Sequence, residues 1–299
     1  MRCGTPLIAA LFFMLPGGAF ADSSSPLLAA YYDRQMAIVE GGTYAWQGRA
    51  RPQRIDVDAS QVGVGRDVYY ALNKKGHLLA WRHLTVRPTP LMRGVTDFAA
   101  GSSAVLAITK DGVLWRIDPL SKARKKIAGN VAQAAVGDGA NYYITKTGAL
   151  FVRGKSHRGQ YGNGRLTATK DFIQTASAVV RVSAHTGHAI LLTKDGNVLG
   201  TGGNIYGPVG RHGLGDKAVR WSPLMANAKA FATGSLHTLA IRQDNGLFAW
   251  GDGYGTEPKL VMSDVVAVAA GSSRTIALRR DGTLWQWERG ANPERLRLR

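Results

Sequence analysis

The chain has 299 residues with 37 glycines, and its 38 lysines and arginines against 20 aspartates and glutamates give a net charge of +18. Glycine is about 12% of the chain against a usual value of about 7%, which excludes a helical bundle because each interior glycine costs a helix about 1 kcal/mol. A hydrophobic content of 45% excludes intrinsic disorder, and the positive charge favours an anionic partner such as nucleic acid, a membrane surface or an acidic protein.

The first residues have the pattern of a secretory signal peptide. Arg2 precedes an apolar run over 7–15, and Ala19-Phe20-Ala21 matches the small-residue cleavage pattern. The apolar run is too short to cross a bilayer. We therefore expect residues 1–21 to be cleaved and residues 22–299 to form the mature protein, which is periplasmic or secreted. The single cysteine, Cys3, leaves with the signal peptide, so no disulfide is expected.

One unit recurs along the rest of the chain. Its turn residue has a partner eleven residues earlier in the later six copies, and the spacings between turns are 35, 36, 36, 48, 49 and 37. The turn residues are Gly41, Gly76, Gly112, Gly148, Gly196, Asn245 and Gly282. The partners of the last six are Gly65, Gly101, Gly137, His185, Gly234 and Gly271. A fixed internal offset over seven copies indicates a repeat architecture.

Each copy has the pattern of four short strands. Asp-Gly between alternating apolar runs is the signature of a two-residue hairpin in which both central residues have positive φ. Four strands in roughly 35 to 49 residues is the size of a propeller blade. The sequence thus predicts an all-β, seven-bladed propeller as a single domain over 22–299.

The two ends of the chain predict how the ring closes. The first copy begins at Leu27 without an obvious earlier strand, and residues 293–299 resemble residues 52–58 of the first copy. We therefore expect the C-terminal strand to complete the blade that holds the N-terminus, which would remove the open sheet edges.

The unit resembles the repeat of the regulator of chromosome condensation family, a seven-bladed β-propeller. Residues 234–241 and 247–251 follow the family pattern closely, and residues 159–164 match its G-Q-L-G-x-G segment as Gly-Gln-Tyr-Gly-Asn-Gly. The resemblance covers about residues 27–299. The repeat's histidine is kept only at His188 and His237, and its tryptophan only at Trp46, Trp81, Trp250 and Trp287.

The resemblance implies a scaffold that binds other proteins. The family's name-giving member is a nuclear exchange factor for a small GTPase, which uses a wedge-shaped hairpin inserted in one blade; this sequence has no such insertion. A secreted bacterial relative inhibits β-lactamases through one propeller face. That activity needs aromatic anchors on the docking loops, and of the seven matching loop positions only Tyr32 is aromatic.

The two long loops that follow the fourth and fifth turns are the best candidates for a partner site. They gather the aromatic and basic groups that usually anchor interfaces, and loops on a rigid scaffold often carry function. These residues are His157, Arg158, Gln160, Tyr161, Arg165, Tyr206, Arg211, His212 and Trp221. Part of this set, Gln160 above all, also fits a purely structural role in the repeat.

A second candidate site is the basic cluster after the third hairpin. It consists of Lys122, Arg124, Lys125 and Lys126, and it is expected to bind an anion or to be a solvated surface.

Catalytic, metal and phosphate sites find little support. His185 and His188 lack a third ligand in sequence, the glycines over 200–215 lack the lysine and helix of a phosphate loop, and Asp111, Asp195, Asp244 and Asp281 each stand in a hairpin turn. No nucleophile motif is present. The chain is therefore expected to be neither an enzyme nor a cofactor or metal binder.

The sequence favours an exported, monomeric, non-catalytic propeller whose positive surface steers an acidic protein partner. Three alternatives stay open. One is a binder of an anionic polymer or surface: nucleic acid, lipopolysaccharide or an acidic glycan. The others are an inhibitor of a secreted enzyme such as a β-lactamase, and a secreted effector that acts on a small GTPase.

Overall fold

The computed structural model describes residues 27–102, 104–210 and 215–298. These residues form seven four-stranded antiparallel sheets, each built from four strands that are consecutive in the chain. The seven-bladed β-propeller predicted from the sequence is therefore confirmed. The predicted signal peptide, Cys3 included, lies outside the described residues. No helix in the described ranges is long and apolar enough to cross a membrane.

Each blade runs from an inner strand at the ring axis to an outer strand at the rim. Blades 1 and 2 comprise β1 (Leu28–Tyr31), β2 (Arg34–Val39), β3 (Gly42–Gln47), β4 (Gln53–Ile55), β5 (Ala59–Val64), β6 (Tyr69–Asn73), β7 (Leu78–Trp81) and β8 (Thr89–Met92). Blades 3 and 4 comprise β9 (Val95–Ala100), β10 (Val105–Thr109), β11 (Leu114–Ile117), β12 (Arg124–Ala128), β13 (Val131–Val136), β14 (Ala140–Thr145), β15 (Leu150–Gly154) and β16 (Thr169–Ala176).

The remaining blades follow the same order. Blade 5 comprises β17 (Val179–Ala184), β18 (His188–Thr193), β19 (Val198–Gly203) and β20 (Lys217–Met225). Blades 6 and 7 comprise β21 (Ala228–Thr233), β22 (His237–Arg242), β23 (Leu247–Gly251), β24 (Gly255–Met262), β25 (Val265–Ala270), β26 (Arg274–Arg279), β27 (Leu284–Glu288) and β28 (Glu294–Leu296).

The turn residues adopt the left-handed backbone that the sequence predicted, but the turn type differs. Gly41 follows Glu40 in a two-residue hairpin in which both residues have positive φ. In the other six blades the turn is one residue longer: Gly112 N–H bonds the Thr109 carbonyl at 2.8 Å, and Thr109 N–H bonds the Val113 carbonyl at 3.0 Å. Those six are type I turns followed by a left-handed glycine or asparagine.

Ring closure differs from the sequence-based expectation. The last strand, β28, pairs with β27 inside blade 7, while β1 is the inner strand of a complete blade 1. No strand is exchanged, because blade 1 already has its outer strand in β4, the segment that residues 293–299 resemble, and β28 is the matching outer strand of blade 7. Blades 1 and 7 meet instead through an apolar cluster that includes Leu28, Val39 and Ile276.

A separate apolar cluster fills each junction between neighbouring blades. Tryptophans at the end of the third strand add directional bonds across these junctions. The indole N–H of Trp46 donates to Gln286 Oε1 at 2.8 Å, and that of Trp287 donates to the Tyr254 hydroxyl at 2.8 Å. Because a sheet buried on both faces cannot stand alone, the ring depends on all seven junctions.

The bond between Trp46 and Gln286 tests this mode of closure. Trp46→Phe leaves the buried Gln286 side-chain oxygen without its donor and leaves a cavity where the larger indole was. We therefore expect the unfolding free energy to fall by about 2 to 4 kcal/mol, measured by urea denaturation. The control is Trp285→Phe, because the indole of half-buried Trp285 bonds only Thr283 in its own hairpin. Equal losses in the two variants would contradict closure through the Trp46 contact.

Candidate functional site

The antiparallel meander sorts the connections of the blades onto two faces of the ring. We label the four strands of each blade A to D, from the inner strand to the outer strand. Connections between strands A and B and between strands C and D share one face, which we call the AB–CD face. The hairpin turns and the links between blades share the other, the BC–DA face. Backbone bonds confirm the sorting: Lys155 N–H reaches the Gly139 carbonyl at 2.7 Å, and Arg289 N–H reaches the Ser273 carbonyl at 2.8 Å.

The first long loop, residues 155–168, is braced from within. The hydroxyl of Tyr161 donates to the Gly154 carbonyl and accepts the Thr169 N–H at 2.9 Å. Ser156 Oγ donates to the Arg165 carbonyl at 2.7 Å. The loop is therefore a fixed platform rather than a free excursion of the chain.

Both long loops also form hydrogen bonds with the next blade. Thr201 Oγ1 of blade 5 donates to the Gly159 carbonyl of the first loop at 2.8 Å, and the ring of Trp221 occupies the space beside Gly162. In the second loop the Pro208 carbonyl accepts both Thr238 Oγ1 and Trp250 Nε1 at 2.8 Å. The glycine-rich segments of the two long loops thus connect neighbouring blades.

The predicted partner residues separate into buried and exposed groups. Gln160 and Tyr161 are 4% and 0% exposed, so their side chains shape the loop and do not reach a partner. Trp221 is half-buried. The exposed members are His157, Arg158, Arg165 and Tyr206. Arg211 and His212 lie outside the described residues. The loops stay the predicted site, carried by the exposed side chains.

The predicted basic cluster does not lie on one face. Lys122 belongs to the AB–CD face, whereas Arg124, Lys125 and Lys126 run along β12 at the rim of blade 3. All four side chains are exposed, and the guanidinium of Arg124 donates to the Leu91 carbonyl of blade 2. The cluster is thus a basic strip on the outer edge that meets the AB–CD face at Lys122.

The two faces differ in charge. On the described AB–CD connections, cations outnumber acids: the cations are Arg49, Arg51, Arg66, Arg82, Arg87, Lys122, Lys155, Arg158, Arg165 and Arg289, and the acids are Asp33, Asp67, Asp118, Asp138, Asp216 and Asp252. The BC–DA connections are nearly balanced, with Lys74, Lys75, Arg93, Lys110, Lys146, Lys194 and Arg280 against Glu40, Asp56, Asp58, Asp111, Asp195, Asp244, Asp264 and Asp281.

Several AB–CD acids are already engaged. Asp118 accepts the backbone N–H groups of Leu120 and Ser121, each at 2.9 Å. Asp138 accepts the hydroxyl of Tyr31. Two arginines of the same face are paired as well, Arg49 with Glu288 at 3.2 Å and Arg289 with Asp252.

Exposed apolar side chains concentrate on the same face. Among the large hydrophobic residues that are well exposed in the described chain, Tyr32, Val86, Leu120, Leu166, Ile205 and Tyr206 belong to AB–CD connections, whereas Leu260 and Val266 lie on strands. Ile205 is 69% and Tyr206 is 50% exposed. The AB–CD face thus combines arginines with accessible apolar and aromatic groups.

Two repeat histidines bridge neighbouring blades. His188 Nε2 lies 3.3 Å from Thr238 Oγ1, and His237 Nε2 lies 3.3 Å from Thr275 Oγ1. Burial lowers the pKa of both imidazoles to about 3. The described residues contain no group of three side chains suited to hold a metal ion.

His185 has a different setting, at the AB–CD end of the ring axis. Its ring stacks on Tyr31 with 5.0 Å between centroids, and its Nδ1 lies 2.9 Å from Thr186 Oγ1. Burial lowers its pKa to about 4, with Asp138 acting in the opposite direction. Tyr31 spans from blade 1 to Asp138 of blade 4 and narrows this end of the axis.

Comparison with known proteins finds relatives over part of the chain and solved structures of the same fold. No family model matches the chain. The ultraviolet-B receptor UVR8 of Arabidopsis thaliana is 30% identical over 181 residues, which are 52% of this chain and 40% of the receptor. The secretion-regulating guanine nucleotide exchange factor of Bos taurus is 29% identical over 133 residues, 42% of this chain and 29% of that protein. The chain thus spans less than half the length of these relatives.

Solved structures give the same fold. Prp20p from Saccharomyces cerevisiae superposes with a TM-score of 0.74 at 15% identity, over 84% of this chain and 81% of that chain. The same yeast protein, named RCC1 (Prp20) in its complex with Kap60, gives 0.71 at 17% identity over 84% and 79%. These likenesses confirm the propeller fold predicted from the sequence.

The buried histidines make a prediction about pH. Their pKa values lie below the unfolded value of about 6.5, so the unfolded chain binds more protons. The stability that they contribute is present above pH 6.5 and is lost as the pH falls toward 3. Each histidine contributes a slope of up to about 1.4 kcal/mol per pH unit. We expect the double variant His188→Gln with His237→Gln to have a smaller slope of unfolding free energy against pH, measured by urea denaturation between pH 7 and pH 5.

The matched control removes a histidine from the surface. His83→Gln changes an exposed side chain of a CD connection, and it leaves the wild-type slope in place. An unchanged slope in the buried double variant would refute the assignment.

Proposed function

We propose that this propeller, which is built from repeats of the regulator of chromosome condensation type, is a non-catalytic scaffold that binds an acidic partner protein through its AB–CD face. The observation that carries the proposal is the coincidence on that face of surplus arginines with exposed apolar side chains. Protein interfaces are enriched in arginine and aromatic residues, and surface charge accelerates encounter with an oppositely charged partner.

The two long loops supply the centre of the proposed site. His157, Arg158 and Arg165 belong to the first loop, and Ile205 and Tyr206 belong to the second loop, on the next blade. The first loop is held by internal hydrogen bonds and by a bond to the next blade. A rigid platform loses little conformational entropy on binding. The loops therefore offer an ordered surface that already has the composition of an interface.

Relatives of the same repeat type support a role in protein recognition. Prp20p has binding properties toward Gsp1p and histones. The bovine relative is a secretion-regulating guanine nucleotide exchange factor. The partner of this chain is a separate matter, because the matched segments cover less than half of the curated relatives.

A pair of charge-reversal variants tests the choice of face. Replacing Arg49, Arg82, Arg158 and Arg165 by glutamate should reduce capture of partner proteins from cell extracts, quantified by mass spectrometry, by at least about tenfold, because several charge contacts are lost at once. Replacing Lys74, Lys75, Lys110 and Arg280 by glutamate changes the net charge equally on the BC–DA face and should leave capture intact. Circular dichroism checks that both variants are folded.

The same pair separates the main alternative. If the partner is an anionic polymer, both variants lose retention on heparin and on capture beads alike, and binding falls steeply between about 50 and 200 mM salt. Capture that is insensitive to the AB–CD variant would reject this face as the site.

Export is the second part of the proposal. It is supported by Arg2, the apolar run over 7–15 and the Ala19-Phe20-Ala21 pattern. N-terminal sequencing of the protein from the periplasmic or extracellular fraction should begin at Asp22. Replacing Ala19 and Ala21 by bulky residues should leave an uncleaved precursor, because the signal peptidase accepts only small side chains there. Full-length protein confined to the cytoplasm would contradict export.

A further inference from the structure

The inner strands enclose a central cavity of about 1290 Å³ that runs along the ring axis. Tyr31 and His185 line its AB–CD end, where the contact from Tyr31 to Asp138 narrows it. The lysines Lys146, Lys194 and Lys229 line the opposite end, together with Asp195. The cavity is thus entered from the BC–DA face, past a rim on which cations exceed acids.

One register position of the inner strands lies fifteen residues before the turn in blades 2 to 7, and in blades 2 to 5 its residue lines this cavity. Its occupants from blade 2 to blade 7 are Gln61, Asp97, Gln133, Arg181, Ala230 and Ala267. The ladder between the first two strands shifts register beside this position. The residue at this position keeps its partner on the second strand, and the residue before it is the one that the ladder leaves without a partner.

The two glutamines have a structural task. Gln61 donates to the Phe98 carbonyl of blade 3 at 2.7 Å. Gln133 bonds both the N–H and the carbonyl of Val182 in blade 5, each at 3.1 Å. Glutamine at this position therefore fastens one inner strand to the next, and alanine at the same position in blades 6 and 7 shows that the fold also tolerates the absence of this bond.

Within the described chain, the two charged occupants form no bond to the backbone of a neighbouring inner strand. Asp97 accepts the N–H of its own neighbour Phe98 at 2.8 Å, and a side-chain hydrogen bond with Gln61 of blade 2 acts to lower its pKa. Arg181 forms no side-chain hydrogen bond or ion pair within the described part of the chain; its interaction with Asp97 is a longer-range attraction. Burial raises the pKa of Asp97 to about 6 and lowers the pKa of Arg181. At neutral pH both groups are charged and face the cavity.

The half-buried guanidinium of Arg181 has no acceptor in the described chain, and a partly desolvated charge without a partner costs stability. The glutamine or alanine at the same position in the neighbouring blades avoids that cost. A ligand that supplies a carboxylate to Arg181 and a donor to Asp97 would satisfy both groups. Guanidinium binds a carboxylate through two parallel hydrogen bonds. A phosphate dianion suits the pair less well, because Asp97 repels its additional charge.

We infer that the central cavity is a binding site for a small molecule that combines carboxylates with an ammonium group, the chemistry of an acidic amino acid. In this arrangement Arg181 binds one carboxylate, Asp97 binds the ammonium, and Lys146 and Lys194 at the rim attract the second carboxylate. The site is separate from the proposed protein-binding face.

The experiment compares L-glutamate with glutarate, which lacks only the ammonium group, by isothermal titration calorimetry. Wild-type protein should bind both saturably, with glutamate bound at least about tenfold more tightly, the order expected for one charge-assisted contact. Arg181→Gln, which places in blade 5 the residue of blades 2 and 4, should weaken both ligands by about tenfold or more.

Asp97→Ala, which places in blade 3 the residue of blades 6 and 7, should abolish the preference for glutamate over glutarate. Because both substitutions use residues that the ring already carries at this position, their melting temperatures should stay close to that of the wild type. The surface control Lys125→Gln should bind both ligands as the wild type does.

Three results would overturn the inference: no saturable binding of glutamate by the wild type, equal binding of glutamate by Arg181→Gln, or a preference for glutamate that survives in Asp97→Ala. The AB–CD charge-reversal variant keeps glutamate binding if the cavity is the site. Loss of glutamate binding in that variant would place the ligand on the protein-binding face instead and would also count against the cavity.

Discussion

The close approach of the inner strands at the AB–CD end is the constraint on which the ring depends. A β-carbon at Gly65 would stand 2.7 Å from the Gly101 carbonyl oxygen of the next blade, and one at Gly271 would stand 2.6 Å from the Tyr32 carbonyl oxygen of blade 1. Backbone at these positions therefore touches backbone, and only glycine fits. This contact brings the neighbouring blades close together at the AB–CD end, although blade 5 carries His185 at this position. The apolar clusters between blades fill the space toward the rim.

Much of this fold could be predicted because the determining signals are local. A left-handed turn residue and a close-packed glycine lie eleven residues apart in the same blade, so the repeat can be counted along the sequence. Ring closure could not be predicted in this way. The bond from Trp46 to Gln286 joins residues 240 positions apart, and the likeness of residues 293–299 to residues 52–58 does not reveal that each segment is the outer strand of its own blade. The extra residue in six of the seven turns also has no separate sequence signal.

The candidate sites divide along the same line. Gln160 and Tyr161 match a family segment because they brace a loop, which is the reason that they are buried. Arg158 and Tyr206 are exposed for the opposite reason, since their side chains form none of the hydrogen bonds that connect the blades. The net charge reveals only a preference for anionic partners. Its concentration on one face depends on the alternation of connections around the ring, which becomes visible only when the strands are paired.

Asp97 and Arg181 show how a repeat protein separates function from folding. Within one blade their charges look unremarkable, but the register places them beside glutamines and alanines at the same position in other blades. Those neighbours show what the fold requires there: either an amide that joins two strands by hydrogen bonds, or a small side chain that needs no hydrogen-bond partner. An aspartate and an arginine satisfy neither requirement and carry a desolvation cost. Because the cavity they face is large enough to hold a solute, the cost is concentrated where a bound molecule would offset it.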